Sequence, residues 1–204
     1  MSVIIIDHGL ANICSVVNIL KHLNFYPRVI QNAEDLKEGD KIILPGIGSA
    51  AAVWNNLNQK GFIEPLKELV EIQRKPILGI CVGMQLMTEG SEEGDSPGFG
   101  WVKGRCRRFR SLETNPIKIP HMSWNAVFPK PDKRLFGRST ESQKFYFVHS
   151  FYVECKKKED VSATCYYGHE FVAAIEKENI FGVQFHPEKS HIYGMQLLQN
   201  FLTT

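Results

Sequence analysis

The sequence predicts an α/β fold: a mostly parallel open sheet flanked by helices, with an added antiparallel region in the second half. Two observations carry this expectation. Over residues 3–87, short β-branched runs alternate with stretches whose apolar residues recur at helical spacing, the rhythm of parallel strands joined by crossover helices. After about residue 90 the rhythm changes, and short strand candidates succeed one another without helices between them.

The first half opens with the run 3–6, Val-Ile-Ile-Ile, a buried strand that enters a turn at Asp7-His8-Gly9. From Asn12, apolar Ile13, Val16, Val17, Ile19, Leu20 and Leu23 recur at helical spacing, with Ser15 and Asn18 between them. A second strand is expected at 26–30 and a third at 41–44, stopped by Pro45-Gly46. Residues 53–57 and 63–72 read as helices. The buried strand at 76–80 runs straight into a helical stretch at 81–87. Gly, Ser and acidic residues make 91–100 a loop. Strand candidates then occupy 104–110, 117–120, 124–128, 145–149, 161–167, 171–177 and 180–185, and 193–202 returns to helical spacing. With no repeat and no low-complexity linker, one domain spanning 1–204 is expected.

Composition narrows the function classes. Lys and Arg number 24 against 22 Asp and Glu, a net charge of +2, so there is no basic footprint for nucleic acid. A hydrophobic content of 43% is that of an ordinary globular domain. No apolar run approaches the ~20 residues that span a bilayer, and the opening apolar run is too short for a signal-peptide core. The five cysteines (Cys14, Cys81, Cys106, Cys155, Cys165) are widely spread with no CxxC pair, which disfavours a disulfide framework or a zinc site. A cytoplasmic protein without membrane contact, metal or cofactor is expected.

Two half-motifs carry chemistry. Gly79-Ile80-Cys81-Val82-Gly83 sits between a strand and a helix. Small residues two positions either side of a nucleophile permit a sharp turn that lifts its side chain into the open, and the following N–H groups favour a thiolate and a developing oxyanion. On the pentapeptide alone, a small buried cysteine is an equal reading. Downstream, the apolar run 181–185 ends in His186-Pro187-Glu188, at the strand edge where α/β sites gather. There a histidine can exchange the thiol proton while a carboxylate on its other nitrogen fixes tautomer and orientation. The remaining histidines (His8, His22, His121, His149, His169, His191) lack such a paired context, and most are read as structural. A third element, Pro45-Gly46-Ile47-Gly48, also follows a strand. Its glycines allow a backbone N–H to join that of Val82 in an oxyanion hole, though alone it is only a turn.

Together these pieces resemble the class I (triad) glutamine amidotransferases, over essentially the whole chain. Pro120-His121-Met122-Ser123-Trp124-Asn125, Tyr146-Phe147-Val148-His149-Ser150 and His186-Pro187-Glu188-Lys189-Ser190 are similar to the branch comprising glutaminase subunits of imidazole glycerol phosphate synthase. The resemblance implies that Cys81 attacks the side-chain amide of L-glutamine, with His186 as base and then acid and Glu188 as its orienter. It implies that Gly46, Ile47, Gly48 and Val82 hold the oxyanion. Gln85, Glu93 and the backbone near His149, Ser150 and Phe151 match positions that bind glutamine. It further implies no cofactor, and ammonia passed within a heterodimer to a cyclase (β/α)8-barrel subunit of histidine biosynthesis, with Asn12, Trp124, Tyr146 and Lys189 at that interface.

The chain departs from the branch's usual Asp-Tyr-Gly-x-Gly-Asn at His8 and Ala11, and carries Ser123 where glycine is common. These departures leave open a paralogous role, supplying ammonia to a surface-sugar amidation system. A non-catalytic, amidotransferase-like binding scaffold is the alternative of another class, disfavoured because Cys81 and His186 are both present. In the free chain the oxyanion strand is expected to be turned away, since hydrolysis without an acceptor wastes glutamine.

Overall fold

The β-branched opening run forms β1 (Val3–Ile6), buried along its whole length as a central parallel strand requires. This computed structural model describes residues 2–38 and 41–204. On either side of β1 lie β2 (Arg28–Ile30) and β3 (Lys41–Gly46), both parallel to it. β4 (Ile77–Cys81) continues the parallel order beyond β3. The connections are helical: α1 (Ile13–His22), α2 (Ala50–Gln59), and α3 (Ile63–Lys67), which runs on as a π-helical turn over Glu68–Ile72. α2 starts before the expected position because Ser49 caps it, its hydroxyl accepting the Ala52 N–H at 3.2 Å. The short α4 (Val82–Gln85) follows β4 without a linker.

The second half builds the antiparallel wing. Two-residue strands β5 (Gly90–Ser91) and β6 (Ser96–Pro97) bracket a 3-10 turn in the stretch expected as a loop. β7 (Gly104–Arg108) leads to β8 (His121–Pro129), β9 (Gln143–His149), β10 (Phe151–Cys155), β11 (Val161–Tyr167), β12 (His169–Lys177) and β13 (Ile180–Val183). β13 returns to lie parallel to β4, and β12 pairs with it antiparallel, so β13 is the hinge between the two halves. From there the order runs β12, β10, β7, while β11, β8 and β9 branch off β12. α5 (His191–Thr203) closes the chain, burying Leu197, Leu198, Phe201 and Leu202.

Three expectations need correction. β3 does not stop at Pro45 but runs through Gly46. β1 pairs with it only as far as Ile43, so no ladder on that side asks Pro45 for an N–H. Residues 117–120 form no strand. Their backbone bonds to side chains instead, Ile117 N–H to Ser111 Oγ at 3.1 Å and the Lys118 carbonyl to the Tyr167 hydroxyl at 2.8 Å. β10 was not anticipated at all: the chain breaks at Ser150 and resumes as a second strand that pairs with β7 and β12.

Candidate active site

The elbow is built from backbone contact. Cys81 ends β4 with φ 54° and ψ −108°, a left-sided conformation that side chains rarely adopt, and α4 begins at the next residue. The flanking glycines make the turn possible. A Cβ on Gly79 would lie 2.6 Å from the Gly83 carbonyl group, and one on Gly83 would lie 1.8 Å from the Leu44 carbonyl oxygen. Strand, helix and the neighbouring β3 therefore touch through bare backbone at the point where the thiol is presented.

His186 follows β13, next to β4 in the sheet, and this brings it to Cys81. Its Nδ1 lies 2.7 Å from Glu188 Oε1, both side chains being almost fully buried. The carboxylate accepts, so Nδ1 carries the proton. Nε2, without another hydrogen-bond partner, faces the Cys81 thiol. Burial disfavours the imidazolium, but Cys81 and Glu188 outweigh it and raise His186 to about 10. Ser190 fixes the loop that carries this pair. Its hydroxyl donates to the His186 carbonyl at 2.6 Å and accepts the Tyr146 N–H at 3.0 Å, while the His186 N–H donates to the Tyr146 carbonyl at 2.9 Å.

Sequence reasoning missed Gln184. It is fully buried, its Nε2 lies 3.6 Å from Cys81 Sγ, and its Oε1 accepts the Gln85 amide at 3.1 Å. A polar residue inside the apolar run 181–185, two positions before the histidine, was the available signal.

A cavity of about 240 Å³ opens over the thiol. Of the expected residues it gathers Ile47, Gly48, Val82, Gln85, Glu93, His149, Ser150 and Phe151 around Cys81 and His186; Pro120 and Val148 were not foreseen. Gly46 lies behind the wall, in register with Cys81 across β3 and β4. The Glu93 carboxylate is anchored by the Ala50 N–H at 2.8 Å and, among the described residues, is the one acidic side chain on the cavity wall. Among the described residues no group of His, Cys, Asp and Glu converges as a metal site.

Of the expected partner-facing residues, three converge. Trp124 is 44% exposed and meets Tyr146 edge-on at 6.1 Å, and the Lys189 ammonium sits 5.7 Å from the Tyr146 ring centre. His191, not foreseen, stacks on Trp124 at 5.1 Å. Asn12 is the N-cap residue of α1, and among the described residues no ring or hydrogen-bond contact joins it to these three.

A strand-Cys-helix elbow beside a strand-His-x-Glu edge, at the carboxyl ends of adjacent parallel strands, defines a triad glutamine amidotransferase. Residues 4–204 match the family described as glutamine amidotransferase class-I, and the chain belongs to that family. Within it, the chain is 42% identical to "Imidazole glycerol phosphate synthase subunit HisH 2" of Pseudomonas aeruginosa, covering 98% of both chains. It is 45% identical to "Imidazole glycerol phosphate synthase subunit HisH" of Bdellovibrio bacteriovorus, covering 97% of each. Among solved structures, PurLQS from Thermotoga maritima superimposes with a TM-score of 0.76 at 18% identity, covering 99% of this chain and 97% of that one, a likeness of fold.

Proposed function

We infer that this chain is the glutaminase subunit of an imidazole glycerol phosphate synthase, hydrolysing L-glutamine and delivering ammonia to a cyclase (β/α)8-barrel subunit in histidine biosynthesis. The observation that carries the chemistry is the Cys81–His186–Glu188 array at the floor of a cavity with one carboxylate, Glu93, on its wall. Glu93 offers the α-ammonium group of glutamine a counter-charge. The sequence identity to whole imidazole glycerol phosphate synthase subunits supports the pathway.

In the first half-reaction, Cys81 Sγ, its proton already passed to His186 Nε2, forms a bond to the amide carbon of glutamine. The Val82 N–H, at the turn into α4, meets the developing oxyanion. Collapse of the tetrahedral adduct breaks the C–N bond, and His186 returns the proton to the departing nitrogen, leaving ammonia and a γ-glutamyl thioester. In the second, His186 removes a proton from water as it attacks the thioester. Glutamate leaves and the thiol is restored. Glu188 holds the ring with Nδ1 protonated throughout, which leaves Nε2 to shuttle.

The partner face fits the same reading. Trp124, Tyr146 and Lys189 cluster beside the loop that carries His186, so a subunit docked there lies next to the site where ammonia forms. Among the described residues no helix is long and apolar enough to cross a membrane; the reading takes the chain as one cytoplasmic domain.

Glutamate release measured with and without the cyclase barrel and its nucleotide substrate tests the assignment. Large stimulation by the loaded partner is expected. Basal hydrolysis without stimulation reassigns the ammonia to another acceptor, the sugar-amidation system first. No hydrolysis in either case leaves a binding scaffold.

A further inference from the structure

Outside the triad, Asn125, His121, His149 and the Phe151 carbonyl form a chain of hydrogen bonds with a single direction. The Phe151 carbonyl oxygen, on the cavity wall, accepts from His149 Nδ1 at 2.7 Å and from Gln85 Nε2 at 3.3 Å. A carbonyl has no hydrogen to give, so the His149 proton sits on Nδ1, and in the neutral ring Nε2 must accept. His149 Nε2 lies 3.0 Å from His121 Nδ1, so that nitrogen is the donor. His121 Nε2 then accepts in turn, with Asn125 Nδ2 at 3.5 Å. A proton added to either ring would set N–H against N–H.

The pairing comes from sheet register, His121 on β8 standing directly opposite His149 on β9. The His121 ring is fully buried between Tyr167, at 3.9 Å and 21°, and Phe147, at 4.8 Å and 23°. It does not line the cavity. Its influence on that cavity runs through His149.

We propose that His121 is a positioning residue for the glutamine pocket: its Nδ1–H locks His149 in the Nδ1–H tautomer, which holds the Phe151 carbonyl and the Gln85 amide bonded to it. This rests on reading the cavity as the glutamine site. With the donor gone, His149 is free to take the Nε2–H tautomer, and the Phe151 carbonyl loses the shorter of its two donors. The triad is untouched, so the loss falls on glutamine binding and not on the chemical steps.

The test uses the full chain in complex with the cyclase barrel and its nucleotide substrate. His121→Phe keeps a flat ring in the stack and deletes the donor, whereas His121→Asn places an amide N–H near the position of Nδ1. His121→Phe is expected to raise KM for glutamine about tenfold, the weight of one such bond, with kcat within about threefold. His121→Asn should return KM most of the way. Ring 15N shifts of His149 in the labelled full chain should report Nδ1–H in the wild type and a mixture in His121→Phe. An unchanged KM in His121→Phe, or failure of a folded His121→Asn to rescue it, overturns the proposal. A wild-type spectrum showing His149 protonated on Nε2 overturns it without any variant. A wild-type complex silent towards glutamine removes the pocket assignment and this inference together, whereas an active complex indifferent to His121 removes the inference alone.

Discussion

The Ile47 N–H donates to the Leu10 carbonyl at 2.9 Å, so this segment, expected to meet an oxyanion, is fastened to the loop after β1. The same loop grips the segment a second time: His8, fully buried, donates Nε2–H to the Pro45 carbonyl at 2.8 Å. With Ile47 committed to Leu10, only the Val82 side of the oxyanion site is in place. We propose that this is the turned-away strand expected of a free glutaminase, and that the peptide before Ile47 rotates to complete the site.

His8 is thus one of two clasps on that strand. His8→Phe leaves the buried Pro45 carbonyl without its donor, at a cost of about 1–3 kcal/mol in stability. With the strand freer to turn, glutamine hydrolysis in the absence of the partner is expected to rise several-fold, and the stimulation ratio to fall. Steady-state glutamate release with and without the barrel subunit checks both, and an unchanged ratio would show that His8 exerts no hold on the strand.

Glu188→Gln keeps the shape of the orienting side chain but removes the charge that favours imidazolium at His186. By analogy with triads whose carboxylate is replaced by an amide, kcat should fall by about 10³–10⁴-fold. The thermal midpoint should move little by comparison. Activity within tenfold of wild type would mean that Glu188 does not set the His186 tautomer.

Acid should weaken the fold through the two paired histidines. Burial pushes His121 down to about 4. Burial also pushes His149 down to about 3, with the Phe151 carbonyl opposing and neighbouring His121 and His186 adding to the shift. Below about pH 6.5 the unfolded chain binds protons at both rings that the folded chain excludes. Stability therefore drops as pH falls from about 6.5 towards 4, by up to about 1.4 kcal/mol per pH unit for each ring. His186, raised in the folded state, has the opposite sign: its contribution is complete below about pH 6.5 and fades as pH rises towards 10. Urea titrations at pH 7, 6 and 5 should show the decline, with a shallower slope in His121→Phe.

Trp124 sits half-exposed on β8 with Met122 and Phe128 exposed on the same strand. Trp124→Ala is expected to weaken binding of the barrel subunit by about 2 kcal/mol, roughly 30-fold in Kd, as for an aromatic anchor at an interface centre. Titration calorimetry with the purified partner gives the number directly.

What the sequence disclosed was whatever lay close together along it. Gly79 to Gly83 and His186 to Glu188 are short strings, and each string dictates its own local geometry. Gln184 was within reach by the same logic. His121 and His149 were not, being 28 residues apart and paired only by the register of β8 with β9. The destination of the Ile47 N–H was hidden because it depends on how one peptide plane is turned beside the loop that follows β1. Residues 117–120 read as a strand by composition, yet side chains from outside that segment had already claimed its backbone.

The bare-backbone contacts of Gly79 and Gly83 have a consequence for descent as well as for chemistry. A single substitution at Cys81 or His186 is expected to end catalysis while leaving the packing nearly intact. One at Gly83 drives a side-chain carbon into the Leu44 carbonyl and endangers the whole parallel half of the sheet. Selection for a folded chain alone would therefore preserve the glycines long after it had ceased to preserve the thiol. A retired copy of this gene would still carry Gly-x-x-x-Gly at the elbow, with something other than cysteine between.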